Sequence, residues 1–437
     1  MQSQKLSIGF AALLAIFAVT TLITATPAVA QTEKVLYSFN NTTSYKGPFG
    51  PPASLIFDAD GNLYGTTVQG GTSSGPNGGG AVFELTKMCG RWTEKTLHDF
   101  GSGEDGAEPD ASVIFDAVGN LYGTTQVGGV YNYGTVFELS PTADGGWTER
   151  VLHSFNPDGK DGALPVASLV FDANGNLYGT TSDGGANCGQ SGCGIVFELS
   201  PSRDGGWTEK ILHAFGSGED GSDPRAGLIF DATGNLYGTT YHGGSYSSGS
   251  VFELSQTGDG DWTESILHNF DNTVTDGAFP SAGLILDADG NLYGTTVFGG
   301  AFTSTSSCHE TVGRGGCGTV FELMPAAGGG WTKSILHSFE AGATDGSQPF
   351  AGLIFDASGN LYGTTAGGGE IRGGTVFKMT PAAGGVWHET LLYRFGVSTG
   401  NGLDPMASLI FGGAGNLYGT TEGGGAHDLG TVYEITP

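Results

Sequence analysis

The chain has 437 residues, 80 of them Gly, and carries 44 acidic against 16 basic side chains for a formal net charge of −28. A surface this acidic repels phosphate backbones and anionic lipid head groups, so nucleic acid is not an expected partner. The glycine follows no Gly-x-y period and sits among 38% apolar residues, which excludes collagen and a disordered tract. Single cores stop growing at roughly 250–300 residues, so a chain of this length needs several cores or a repeat array.

Residues 1–30 read as a secretory signal peptide. Lys5 supplies a positive start, LSIGFAALLAIFAVTTLITA is apolar and uncharged, and Ala28-Val29-Ala30 fits the small-x-small cleavage rule. The alternative is an uncleaved anchor, since about 20 apolar residues can span a bilayer. Cleavage near Ala30 removes one Lys and no acid, leaving residues 31–437 with a net charge of −29. The expected location is secreted or periplasmic, as a monomer with no membrane span after cleavage.

A seven-residue string, GNLYGTT, occupies 61–67 and recurs at 119–125, 175–181, 234–240, 290–296, 359–365 and 415–421. The spacings of 58, 56, 59, 56, 69 and 56 residues point to a solenoid, array or propeller. Each unit has four strand-like pieces. ASLIFDA (53–59) is an apolar run closed by Asp-Ala-x-Gly-Asn turn chemistry. NLYGTT is rich in Tyr and Thr. GTVFEL (134–139) alternates apolar and polar, and WTEKTLHDF (92–100) ends the unit. None has a useful helical period.

The chain ends on the third piece, TVYEITP, and its exported form begins with TEKVLYSF (32–39), a copy of the fourth. The N-terminal strand therefore completes the last unit, an exchange that a closed ring needs and that removes exposed edges. The expected fold is all-β: one seven-bladed β-propeller over 31–437, four antiparallel strands per blade, closed by residues 32–39. The inter-blade loops and the loops after GNLYGTT should share one face, and binding belongs on such varied loops.

FDAxGNLYGTT, the following Gly-Gly and GTVFEL together resemble the GloVer tandem-repeat family of exported bacterial proteins (Gloeobacter/Verrucomicrobia type), over essentially the whole exported chain. The resemblance implies a propeller without an assigned activity and lends no catalytic residues. Many members of that family carry a C-terminal surface anchor. This sequence stops at Pro437 without one, which favours a soluble exported form.

Five cysteines remain to be placed. Cys188–Cys193 and Cys308–Cys317 each flank a short loop, and export favours two local disulfides with Cys89 free. His309 and Glu310 beside Cys308 lack zinc-ligand spacing. DADGN looks like a calcium loop, but its third position is Asp60, Val118, Asn174, Thr233, Asp289, Ser358 and Ala414 in the seven units, so ligand spacing fails. The preceding Asp58, Asp116, Asp172, Asp231, Asp287 and Asp356 are read as turn formers. No metal or other cofactor is expected, a divalent cation such as calcium being the weakly supported exception.

His98, His153, His213, His268 and His337 recur in the fourth strand, with Tyr37 and Tyr393 in the other two units. Both residue types present an aromatic body and a polar tip, which suits a repeated hydrogen bond. The six Trp recur in step and read as blade packing. Asp105, Asp161, Asp220, Asp276 and Asp345 recur in Asp-Gly-x-x-Pro loops, either as turns or as a negative funnel that attracts cations. Tyr131, Tyr133, Tyr241, Tyr246, Phe298 and Phe302, with His242, lie on the loops after GNLYGTT. They could stack on sugar rings, anchor a protein partner, or cap blades. Gly71-Thr72-Ser73-Ser74-Gly75 matches a nucleophile elbow but precedes no helix.

The sequence thus favours a non-enzymatic binding or scaffold module for carbohydrate or protein, with no catalytic residue named. The alternatives are a propeller lyase or glycosidase with an acidic site at the central mouth, and a structural envelope component. A unique acid–base pair with displaced pKa values would favour the enzyme.

Overall fold

The computed structural model describes residues 32–40, 50–71, 78–101, 104–156, 158–188, 192–216, 219–258, 260–302 and 315–437. The expected signal segment 1–30, Cys308, His309, Glu310 and residues 72–75 of the elbow-like string lie outside these. Among the described residues no helix is long and apolar enough to cross a membrane.

Seven four-stranded antiparallel sheets form the ring. Blade 2 is representative. Its strands are Ile114–Phe115, Leu121–Thr125, Thr135–Pro141 and Trp147–Ser154, from the axis outward. The others repeat it at the second strands Leu63–Thr67, Leu177–Thr181, Leu236–Thr240, Leu292–Thr296, Leu361–Thr365 and Leu417–Thr421. In blade 7 the outer strand is Glu33–Ser38, which pairs antiparallel with Thr431–Ile435. The ring is closed as the sequence predicts.

Each letter of GNLYGTT has a local task. The turn before it is an Asx turn: Asp58 Oδ1 accepts from the backbone N–H of Asp60 and Asn62, and Asn62 Nδ2 donates to Asp58 Oδ2. Gly61 has φ +83, a left-handed conformation that favours Gly. Tyr64 donates toward Asp58 and Glu84, fastening the turn to the third strand. The first Thr leaves the blade: Thr66 Oγ1 donates to the Ala111 carbonyl of blade 2. The same bond recurs at every junction and ends with Thr420 donating to Ala53, across the seam.

Gly65 and its equivalents differ from expectation. A Gly inside a strand ordinarily marks a bulge or the close approach of another backbone. A Cβ at Gly179 would instead lie 2.6 Å from Cζ of Phe197 and 2.9 Å from Leu169 Cδ2. The Phe of GTVFEL is the cross-strand partner of this Gly in every blade except the last, where Tyr433 takes its place. The missing side chain is space for a ring.

Core clusters lie between blades. One joins Tyr64 and Val82 of blade 1, Phe100, and Leu121, Phe137 and Leu139 of blade 2, with Trp147 packed on it. Blade-to-blade Tyr–Trp edge contacts recur, as in Tyr122–Trp207 and Tyr178–Trp262. The Trp residues are therefore junction packing. At the seam Phe39 joins Leu55, Leu63, Phe83, Leu85, Trp92 and Val432.

The outer strand carries a β-bulge. In blade 2, Val136 pairs with His153 and Phe137 with Val151, so Leu152 is the extra residue. A regular strand alternates faces with period two, which would place Glu149 and His153 on one face. The bulge reverses that phase. Glu149 consequently meets His98 and Asp105 of the preceding junction, while His153 meets Asp161 and Glu209 of the next.

Candidate functional site

Two-residue ladders tie the inter-blade loop to the loop after GNLYGTT in blades 2 to 7, for example Gly106–Ala107 with Val127–Gly128. The two loop sets therefore share one face. Within Asp-Gly-x-x-Pro, and in the Asn-Gly version of the sixth loop, the residue before Pro holds a left-handed backbone: Glu108, Leu164, Asp223, Phe279, Gln348 and Asp404 have φ between 55 and 60. Gly50 does the same in the first unit, at φ 68. Such conformations in bulky non-Gly residues cost of order 1–3 kcal/mol each and cluster at functional sites. Here they turn the chain sharply toward the axis.

The residues following these turns line the channel. Residues of all seven blades surround one continuous axial space, including Pro52, Asp110, Val166, Arg225, Ser281, Phe350 and Met406. Each of these is the middle letter of Pro-x-Ala, and all seven differ. Above them, the residue after GNLYGTT also varies: Val68, Gln126, Ser182, Tyr241, Val297, Ala366 and Glu422. Asp110, Arg225, Phe350, Met406, Gln126, Ser182 and Glu422 meet Leu164, Asp183 and Asp223 around a cavity of about 530 Å³ at the mouth. The repeat fixes the frame and varies the lining.

The mouth is acidic around one cation. Arg225 grips Asp223 with two nitrogens, at 2.9 and 2.8 Å, and lies over the Tyr241 ring at 4.3 Å from its centroid. Burial pushes Asp110 up to about 6, helped by the Glu108 charge and opposed by Arg225. Burial likewise raises Glu422, reinforced by Asp110 and Asp404, and it raises Asp183, reinforced by Asp223. Ionising one of these carboxylates makes its neighbour harder to ionise.

A pH prediction follows from Asp110. Its folded pKa lies above the unfolded one, so its stabilising contribution is full below about 4 and disappears as pH rises through about 6. Asp110→Asn should therefore gain on the parent by a few degrees of Tm between pH 4 and pH 7, measured by calorimetry. A constant difference across that range would refute the buried carboxyl.

The residues expected from sequence divide into three groups. Tyr241, His242 and Phe298 come together around Phe279, with Phe350 of the channel packed alongside. Tyr241 and Phe298 are buried, so they support the mouth rather than stand free on a loop. Tyr131, Tyr133, Tyr246 and Phe302 are exposed on the rim. Asp105, Asp161, Asp220, Asp276 and Asp345 do not line the cavity. Each accepts from the following Gly N–H and approaches a His of an outer strand, at 3.0 to 3.4 Å. The negative funnel is built instead by Asp110, Asp183, Asp223 and Glu422. The Asp-Gly N–H pulls the carboxylate back into the junction, and the residues three and five positions after the Asp, such as Asp223 and Arg225, reach the axis side.

Cys188 and Cys193 are bonded to each other, and Cys89 is free and exposed. Cys317 is buried and disulfide-bonded; its expected partner Cys308 lies outside the described residues.

With this geometry established, comparison places the chain among known proteins. No curated protein matches it. A putative 6-phosphogluconolactonase from Bacteroides uniformis ATCC 8492 is similar in structure at 13% identity, over 84% of this chain and 89% of that one, with a TM-score of 0.50. A protein of unknown function from Dyadobacter fermentans DSM 18053 matches at 13% identity over 82% and 96%, with a TM-score of 0.41. At this identity the first likeness speaks for the fold alone. The family model of the Gloeobacter/Verrucomicrobia repeat matches residues 17–204, 145–308 and 307–437. The seven-bladed ring and its repeated FDAxGNLYGTT units thus belong to the Gloeobacter/Verrucomicrobia repeat family.

Proposed function

We propose that this protein is an exported binding propeller that takes its ligand at the mouth of the central channel, carbohydrate being the first candidate class. The observation that carries this reading is the Pro-x-Ala ring: flanks are identical in seven units while the axial letter differs in all seven. A structural frame would repeat its lining. A single ligand seated on a symmetry axis needs the symmetry broken. Carboxylates that accept hydroxyl hydrogen bonds, an Arg donor and the Phe350 ring, backed by the buried Tyr241 cluster, suit a polyhydroxylated ligand. The exposed Tyr131, Tyr133 and Tyr246 extend the same face for further sugar units or a protein partner.

A glycan array with residues 31–437 tests this. Binding should fall at least tenfold in Asp110→Ala and in Arg225→Ala. Replacing Tyr131, Tyr133 and Tyr246 by Ala should weaken only longer glycans. Binding to no glycan would sink the carbohydrate class. Binding lost only with the rim tyrosines would move the site off the axis.

The enzyme reading keeps one specific support. Asp110 and Glu422 both line the mouth, burial raises both, and the Asp110 charge raises Glu422 further. Turnover of a polysaccharide panel, abolished by Asp110→Asn with binding retained, would turn the binding site into an acid–base site.

A further inference from the structure

The junctions between outer strands repeat a polar cluster that the channel does not use. Four of them combine His, Asp and Glu: His98 with Asp105 and Glu149, His153 with Asp161 and Glu209, His213 with Asp220 and Glu264, and His337 with Asp345 and Glu389. In each, one donor atom from every residue lies within 4.8 Å of the others. In two of them the spacings are 3.2 and 3.7 Å from His153 Nε2, and 3.1 and 3.7 Å from His213 Nε2, to the Asp and Glu oxygens. Bonds of about 2.0–2.2 Å to a tetrahedral zinc ion place its ligand atoms roughly 3.3–3.6 Å apart.

Two further observations point to an occupant. First, the Glu oxygen facing the cluster is buried in all four with no donor group bonded to it: Oε1 of Glu149, Glu209, Glu264 and Glu389. In two it lies against the Asp carboxyl itself, Asp161 or Asp220. The Asp in each is meanwhile fixed by backbone N–H groups, as Asp220 is by Gly216 and Gly221. Second, the three other junctions are satisfied differently, that of blades 7 and 1 by Thr96 donating to Glu94 at 2.9 Å. At the fifth, Lys333 replaces Glu and its ammonium pairs with Asp276, which also bonds His268. A protein cation stands there in the place of the missing one. At the blade 6–7 junction Tyr393 replaces His and Asn401 replaces Asp. Tyr393 then donates to Glu33 at 2.9 Å, and Glu33 also accepts from the Gly402 N–H at 3.2 Å. No Glu oxygen is orphaned in that arrangement. The orphan thus appears only where all three ligand types are present.

We propose that the four His–Asp–Glu junctions are binding sites for a divalent ion of the zinc class. Each would bind through imidazole Nε2, one Asp oxygen and one Glu oxygen, with water in the fourth position. With neutral imidazole the two carboxylates carry two negative charges, which a dication cancels. One nitrogen with two oxygens suits zinc or a neighbouring transition ion better than calcium, which takes 6–8 oxygens. Each ion bridges two blades, so binding stiffens the ring.

Metal-stripped protein of residues 31–437 is dialysed against zinc chloride at pH 7.5, and bound zinc is counted by elemental analysis. The expected count approaches four per chain, with a rise in Tm that EDTA reverses and magnesium does not reproduce. Replacing Glu149, Glu209, Glu264 and Glu389 together by Gln should reduce the count from four to none. If that variant fails to fold, Glu264→Gln alone should remove one ion. Lys333→Glu should add one. A count near zero leaves a shared proton as the occupant and overturns the proposal. So does a count unchanged by Glu264→Gln and by Lys333→Glu, which places the zinc on surface carboxylates.

Discussion

A chain that begins after Asn40 should melt at least 10 °C below the chain of residues 31–437, over a broader transition, and should self-associate. Residues 32–40 supply an entire outer strand. Glu33 to Ser38 ladder with Thr431 to Ile435, and Lys34 pairs with Glu434 at 2.9 Å. Glu33 reaches into the adjoining junction, and Phe39 fills the seam between Leu55, Phe83 and Val432. Without them Thr431–Ile435 becomes a bare edge, a template for pairing with another chain. The buried slot of Phe39 also opens. Emptying that slot alone, with Phe39→Ala, should cost about 3–5 kcal/mol, as for a buried Phe elsewhere. Added peptide 32–40 should restore part of the lost Tm, because the ring lacks only that strand. Calorimetry and sedimentation are the measurements. A truncated chain that melts as high and as cooperatively as the parent would show that the ring does not depend on its seam.

Gly179→Ala should destabilise by about 1–3 kcal/mol, although it adds one methyl group to a strand. The methyl carbon would lie 2.6 Å from Phe197 Cζ, and both positions are buried in blade 3. The shorter ring-free side chain of Phe197→Leu, combined with Gly179→Ala, should recover part of the loss. Gly175→Ala provides the contrast. A Cβ there meets nothing within 4 Å, but φ is +85, so the cost is backbone strain of about 1–2 kcal/mol that no change at Phe197 relieves. Denaturant melts of the two single variants and the double variant decide it. No rescue by Phe197→Leu would mean that the ring is not what excludes the side chain.

Much of this architecture could be read from residue order. Period, blade number, strand order and the seam follow from where GNLYGTT, WTE and TVYEITP fall. The turn role of Asp58 and its equivalents follows from Asx chemistry, and the His-for-Tyr exchange announced a shared hydrogen bond. In the structure His213 meets Asp220 at 3.1 Å and Tyr393 meets Glu33 at 2.9 Å. The channel site escaped because its signal is a single letter. Asp110, Arg225, Phe350 and Met406 sit between an invariant Pro and an invariant Ala, and the eye follows the invariant pair. Reading the variable letter down the seven copies would have found them.

The sequence by itself determined the repeat, the fold and the closure, because these depend on local chemistry and on a period visible along the chain. Tertiary structure alone decided three matters. It showed that Gly65 and its equivalents yield to an aromatic ring, because a cross-strand neighbour depends on register rather than on adjacency. It took Asp105 and its counterparts away from the channel and set them against His and Glu, because a bulge in the outer strand reverses which face Glu149 and His153 present. And it gathered Asp110, Arg225, Glu422 and Phe350 around one axis. These residues are dozens to hundreds of positions apart, and only closing the ring brings them within reach of a single ligand.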